Sequence, residues 1–111
     1  MSSSAERKGR NEAIFRDMNE KLEQKARELV DPRDVERVPF LCECPKLDCL
    51  EVATLTLREY ETVRTNGLRG LAVPGHEDLT VERVVAANER FVTTEKFGPA
   101  GEVFANADTR G

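Results

Sequence analysis

The chain carries the segment FLCECPKLDC at residues 40–49, which contains all three of its cysteines, Cys42, Cys44 and Cys49. Cys42 and Cys44 are two residues apart, so on an extended strand their side chains point to the same face. The four residues between Cys44 and Cys49 allow a tight loop that returns the chain and places Cys49 opposite Cys44. The spacing therefore predicts that three thiols meet at one end of a β-hairpin, within reach of a single metal ion.

A fourth ligand is needed, because zinc in structural sites takes four ligands in a tetrahedron, commonly Cys sulfur and His nitrogen. The chain has one histidine, His76, in the segment VPGHE (residues 73–77), a turn from which the ring can project. If His76 is not a ligand, Asp48 or water would take the fourth position, and an open position would permit catalysis by bound water. The sequence thus predicts a Cys3His zinc site with the ligands Cys42, Cys44, Cys49 and His76.

A second metal chemistry uses the same residue types. A set of three cysteines and one histidine that begins with C-x-C resembles the CDGSH type of 2Fe-2S protein, in which the histidine follows shortly after the third cysteine. Here Leu50 and Glu51 follow Cys49 and the histidine is distant, so the likeness covers only the ligand types. A 2Fe-2S cluster is therefore the alternative cofactor, and reduced, buried cysteines without a metal are the remaining interpretation.

Composition excludes several classes of protein. The 111 residues are 39% hydrophobic and 34% charged, and no segment approaches the roughly 18 apolar residues of a membrane span. The first ten residues, MSSSAERKGR, lack the apolar core of a secretory signal, and an odd, clustered set of cysteines is typical of a reducing compartment. We therefore expect a cytoplasmic protein that is not inserted in a membrane and whose cysteines bind metal.

The charge distribution bears on the kind of partner. The net charge is −4, yet the first ten residues hold three basic side chains, Arg7, Lys8 and Arg10, against one acidic side chain. Nucleic-acid affinity depends largely on Lys and Arg that neutralise phosphates, and an acidic body with a short basic arm argues against a dedicated nucleic-acid domain. A protein partner is favoured, and a nucleic-acid partner bound by this arm is the alternative.

A helix is predicted from Asn11 to Val30, after a disordered basic arm at residues 1–10. Ile14, Met18, Leu22 and Leu29, with Phe15 beside them, follow the spacing of one apolar helical face. Twenty helical residues span about 30 Å, so two arrangements stay open: a helix packed across a sheet, or a helical extension that docks a partner. In the second arrangement the partner-binding residues would be Asn11, Phe15, Arg16, Asn19 and Leu22.

The rest of the chain has the pattern of short strands. Apolar and β-branched residues predict strands at 35–43 and 50–57, a short strand at 71–75, and a hairpin formed by 81–86 and 91–97. Thr56 and Glu59 have capping-box spacing and predict a short helix that ends near Asn66-Gly67, and residues 102–107 predict a final frayed turn. We therefore predict one α+β domain over residues 11–111, with a long N-terminal helix, a small antiparallel sheet and one short helix.

Several motifs together resemble a family of small uncharacterised bacterial proteins. The likeness comprises FLCEC with the third cysteine at 49, LTLREYE at 55–61 and PGHE at 74–77. It also includes RNE at 10–12, FR at 15–16 and NE at 19–20, so it covers about residues 10–97. The resemblance implies that helix, cysteine segment and histidine turn form one unit, but it supplies no activity.

The functional prediction is a non-enzymatic regulatory or adaptor module in which zinc is structural and a macromolecule is bound. Two alternatives stay open: a nucleic-acid-associated zinc protein, and an enzyme that depends on the metal or on a thiol. The enzyme would require an exchangeable metal position beside a cleft. Sequence gives no oligomeric state.

Overall fold

A computed structural model describes residues 4–31, 33 and 35–110, and the α+β class is confirmed. Within this part of the chain there are three helices and five short strands. Their bounds are α1 Ser4–Leu29, β1 Arg37–Leu41, β2 Val52–Thr56, α2 Leu57–Arg64, β3 Arg69–Ala72, β4 Glu82–Ala87, β5 Val92–Lys96 and α3 Gly98–Asn106.

Two small antiparallel sheets are formed in place of one. Strands β1 and β2 pair as a hairpin whose register places Arg37 opposite Thr56 and Leu41 opposite Val52. The other sheet has the order β3-β5-β4, and β4 and β5 form the predicted second hairpin. Residues 42–51 connect β1 to β2 and contain all three cysteines, which therefore lie at the end of the first hairpin.

Helix α2 begins at the residues that the sequence predicts. The Thr56 hydroxyl accepts a hydrogen bond from the Glu59 backbone N–H, and the Glu59 carboxylate accepts one from the Thr56 backbone N–H, so the predicted capping box is confirmed. Such a cap stabilises a helix by about 1 kcal/mol. Helix α3 is longer than the predicted frayed turn, and its Ala100 packs against Gly9 of α1.

The apolar core lies between the first hairpin, α2 and β3. Phe40, Leu55, Tyr60 and Leu71 are fully buried there, and the rings of Phe40 and Tyr60 stack with their centroids 4.4 Å apart. Helix α1 contributes only Ala26 to this cluster. The helix therefore depends on other contacts to stay on the body.

The predicted apolar face of α1 is wrong. Four of the five residues expected to face the core are exposed, namely Ile14, Met18, Leu22 and Leu29, whereas Phe15 is buried as predicted. The buried face carries polar groups instead, chiefly Glu12, Arg16, Asn19, Glu20 and Glu23. Helix α1 also starts at Ser4, so residues 4–10 form its first turns where the sequence predicts a disordered arm; residues 1–3 lie outside the described residues.

Partners distant in sequence explain the inverted face. Lys96 Nζ lies 2.8 Å from Glu12 Oε2, and both side chains are fully buried. The Glu20 carboxylate accepts hydrogen bonds from Arg64 and from the Tyr60 hydroxyl. Because buried polar groups are tolerated when they are paired, this face packs mainly through polar side chains, with Phe15 and Ala26 among them.

Candidate metal centre

The backbone of the first hairpin brings the three cysteines together. Cys42 continues the pairing beyond β1, since its N–H donates to the carbonyl oxygen of Glu51 at 3.0 Å. The Cys49 N–H donates to the carbonyl oxygen of Lys46 at 3.0 Å and closes a tight turn. We call residues 42–49 the cysteine loop; it has the hairpin-end position that the spacing predicts.

A second set of bonds places His76 beside the cysteine loop. The N–H of Glu43 donates to the carbonyl oxygen of Leu71 at 2.9 Å, which fastens the loop to β3. After β3 the chain turns at once, because the His76 N–H donates to the carbonyl oxygen of Val73 at 2.9 Å. Gly75 has a φ of 92°, which suits the third position of a type II turn, and Pro74 suits the second. We call residues 73–76 the histidine turn.

The four predicted ligands converge. The donor atoms of Cys42, Cys44, Cys49 and His76 all lie within 4.8 Å of one another. His76 Nδ1 is 3.7 Å from the Cys42 sulfur and 3.6 Å from the Cys49 sulfur. Zinc bonds of about 2.3 Å to sulfur and 2.0–2.1 Å to nitrogen in a tetrahedron separate the two atoms by about 3.6 Å. These two sulfur-to-nitrogen distances are therefore those of ligands around one ion, and the whole set is compatible with a bound metal ion.

Glu51 orients the imidazole. Its Oε2 atom lies 2.8 Å from His76 Nε2, on the side of the ring away from the thiols. A carboxylate in this position fixes the tautomer with the proton on Nε2 and leaves Nδ1 free to bind metal, as the outer partners of zinc-bound histidines commonly do. Glu51 is not among the site residues predicted from the sequence, because a single glutamate two residues after Cys49 has no distinctive pattern.

The thiols influence one another's protonation. Cys42 and Cys44 are buried, and Cys49 is half-buried. A hydrogen bond with Cys44, together with burial, raises the pKa of the Cys42 thiol. The hydrogen bond from Cys42 lowers the pKa of Cys44 to about 5, while burial raises that of Cys49. The protein alone thus favours one thiolate, and a bound cation would be needed to favour three.

Side chains of helix α1 donate hydrogen bonds to the cysteine loop and to the residue before it. Asn19 Nδ2 donates to the carbonyl oxygen of Leu41 and to the carboxylate of Glu43, both at 2.8 Å. Glu43 is fully buried, and this burial raises its pKa. Asn11 Nδ2 donates to the carbonyl oxygen of Pro45 at 2.8 Å. The two asparagines therefore fix the loop that holds the cysteines.

These contacts change the assignment of the predicted partner-binding residues. Asn11 and Asn19 bind the cysteine loop, and Phe15 is buried. Arg16 donates to the carbonyl oxygens of Gly67 and Phe104, and its guanidinium lies over the Phe104 ring. Of the five, Leu22 alone is exposed. Four of the predicted residues therefore make contacts that hold the fold together.

The basic residues of the first ten positions lie on α1. Lys8 Nζ forms an ion pair with Asp78 at 2.7 Å and donates to the Thr80 hydroxyl at 3.1 Å. Arg7 and Arg10 are exposed. Of the three basic residues expected to contact nucleic acid, Lys8 is therefore bound to residues of the same chain, whereas Arg7 and Arg10 are exposed.

A cleft of about 410 Å³ lies beside the centre. Cys44 and His76 line it together with polar neighbours, chiefly Lys46, Glu77 and Asp78. Asp48, the alternative fourth ligand, is exposed. Since His76 supplies the fourth donor atom, the cleft adjoins a complete set of ligands.

Comparison with protein-family models, with curated proteins and with solved structures returns no match for this chain. None of the helices that the structure describes combines the length and apolar character required to cross a lipid bilayer.

Proposed function

We propose that the protein is a small zinc-stabilised binding module. One structural zinc ion, held by Cys42, Cys44, Cys49 and His76, fastens the cysteine loop to the histidine turn. The observation that carries this proposal is the convergence of the four donor atoms within 4.8 Å, with sulfur-to-nitrogen distances of 3.6 and 3.7 Å.

The donor set favours zinc over other metals. Thiolate and imidazole are the usual ligands of structural zinc, and the Glu51 contact is the outer partner that such a histidine commonly has. A 2Fe-2S cluster distributes four ligands over two iron atoms, whereas these donor atoms all lie within 4.8 Å of one another, close enough to bind one ion. With four protein ligands no position is left for substrate, so the metal is structural and the enzyme alternative is not favoured.

The role of the metal follows from what it joins. The cysteine loop and the histidine turn belong to different sheets, and few apolar side chains lie between them. A structural zinc can contribute roughly 10–16 kcal/mol, comparable with the stability of a whole small domain. Three thiolate ligands require a reducing compartment, which supports a cytoplasmic location.

Binding of a protein partner is supported by the outer face of α1. Large apolar side chains are exposed there although the helix is long and firmly packed on its other face. A nucleic-acid partner is less favoured because Lys8 is paired with Asp78. We further propose that the likeness to the bacterial family reflects common ancestry, since its motifs supply the metal ligands and the α1 residues that hold the cysteine loop.

Metal analysis of the protein purified under reducing conditions tests the proposal. We expect one zinc per chain and no absorption band in the visible range, and cobalt substitution should give the intense bands of a tetrahedral thiolate site. The variant Cys49→Ser should lose zinc, whereas the control Asp48→Asn, in the same loop, should keep it. A coloured iron centre, or the absence of any stoichiometric metal, would contradict the proposal.

A further inference from the structure

The outer face of α1 carries a line of apolar side chains. Ile14, Met18 and Leu22 are spaced four residues apart, so they follow one another along the helix surface. They are 48%, 45% and 39% exposed, although the opposite side of the helix is packed on the body of the protein. Neighbouring exposed apolar side chains form a patch of the kind that can contact another molecule.

Charged residues border this line on one side, and their signs alternate. Arg10, Asp17, Lys21 and Glu28 are all exposed. The spacing of seven, four and seven residues keeps them on one flank of the helix. Asp17 and Lys21 are 3.9 Å apart in an ion pair that is open to solvent. From Arg10 to Glu28 the charges run plus, minus, plus, minus. In a second helix that runs in the opposite direction, each of these charges therefore faces a charge of opposite sign.

This pattern is complementary to itself. In an antiparallel helix pair related by a two-fold axis, the same flank of each helix faces the other. An axis at Asn19 places Arg10 opposite Glu28 of the second copy and Asp17 opposite Lys21. Ile14 and Leu22 pair about an axis at Met18, as Met18 does with its own copy, and this axis lies one residue, or about 1.5 Å, from the first. The apolar line and the charges are therefore matched to within one residue along the helix.

We propose that α1 binds α1 of a second copy of this chain, forming an antiparallel two-fold dimer. The inference rests on the proposed function as a binding module and names its partner. A parallel pair would place the charged flank against the flank that carries Asn11 and Phe15, which are engaged within the chain. An anionic membrane would favour an unbroken basic face, and the alternating signs do not provide one.

The size of the contact sets the expected strength. The apolar line extends over the nine residues from Ile14 to Leu22, or about 12 Å of helix. One lysine, Lys25, lies next to it on the exposed surface. Interfaces below about 1,200 Å² are typical of weak complexes. The dimer is therefore expected to dissociate with a constant on the order of micromolar.

Sedimentation analysis of the full, zinc-loaded chain over a range of concentrations tests this. Met18→Asp should weaken dimerisation at least about tenfold because two carboxylates meet on the axis, while the control Leu79→Asp, at an exposed apolar residue far along the chain, should not. A protein that stays monomeric at millimolar concentration, or a dimer unaffected by Met18→Asp, would overturn the proposal. Zinc content measured in the same samples tests the metal centre separately.

A charge exchange gives the sharper test. Asp17→Lys places two lysines opposite each other and Lys21→Asp places two aspartates, so each variant should self-associate roughly 3- to 10-fold more weakly. When the two variants are mixed, both contacts become complementary, and a mixed dimer should form preferentially. The double variant Asp17→Lys/Lys21→Asp should regain wild-type dimerisation. A mixture that associates no better than its components, as expected if α1 binds some other protein, would refute the antiparallel pairing.

Discussion

Replacement of Glu51 by alanine isolates the contribution of the imidazole partner to metal affinity. The change removes the contact of 2.8 Å between Glu51 Oε2 and His76 Nε2 and leaves all four ligands in place. Loss of such a partner typically weakens metal binding 10- to 100-fold. Because the Glu51 side chain is 62% exposed, water can replace part of the interaction, and we expect the lower end, about tenfold or 1.4 kcal/mol.

The loss of affinity should also appear as lost stability. With free zinc well above its dissociation constant, a tenfold weaker affinity lowers the free energy of unfolding by about 1.4 kcal/mol. For a domain of this length, that corresponds to a fall in melting temperature of roughly 6 °C. Zinc affinity is measured by competition with a chromophoric chelator, and melting by calorimetry at fixed free zinc.

Two variants bracket this measurement. Asp48→Ala removes another exposed carboxylate from the cysteine loop and should change neither quantity, while His76→Ala removes a ligand and should release zinc. If Glu51→Ala binds zinc within twofold of wild type while His76→Ala fails to bind it, Glu51 does not orient the ring and the reasoning is refuted.

Three further predictions concern the centre and the packing of α1. Cys44→Ser should lose stoichiometric zinc by elemental analysis and melt roughly 10 °C or more below wild type; equal melting temperatures would contradict a structural metal. Gly9→Ala places a Cβ 2.5 Å from the Ala100 carbonyl oxygen and should lower the free energy of unfolding, measured by urea titration, by about 1–3 kcal/mol. An unchanged urea midpoint would show that α1 and α3 can move apart to admit the methyl group. Burial raises the pKa of Glu12 from 4.5 to about 9, so between these values the folded state holds a proton that the unfolded state has lost. The free energy of unfolding should therefore fall from pH 5 to pH 9 by up to about 1.4 kcal/mol per pH unit. Glu12→Gln should flatten this slope, and an equally steep slope in that variant would assign it to other groups.

The ligand set could be predicted because its signals are local. Two cysteines at strand spacing, a short loop and a Pro-Gly turn before the histidine each have a conformational meaning within a few residues. Only the approach of the histidine turn to the cysteine loop is long-range, and the scarcity of cysteine and histidine in the chain was enough to predict it. Glu51 escaped notice because one glutamate among many has no distinctive local pattern.

The face of α1 could not be predicted for the opposite reason. Apolar periodicity predicts the buried face of a helix correctly when polar side chains would find no partners in the interior. It fails when the rest of the protein supplies such partners. Here the partners are supplied by residues remote in sequence: Arg64 lies 44 residues from Glu20, and the Phe104 carbonyl lies 88 residues from Arg16. No local pattern reveals that such partners exist, so the sequence predicts burial of the apolar line, which the structure leaves exposed.

The polar face makes α1 part of the core and not an added extension. Its side chains satisfy main-chain carbonyls of Leu41 and Pro45 around the cysteine loop, its Glu20 carboxylate pairs with the buried cation of Arg64, and Glu12 contacts Lys96. Without α1, Arg64 and Lys96 would each lose one of their buried partners, and removal of one member of a buried charged network is destabilising. Because such contacts are directional, they also fix the register of the helix on the body. The apolar line of α1 is therefore presented outward in one orientation, as a two-fold contact between identical copies requires.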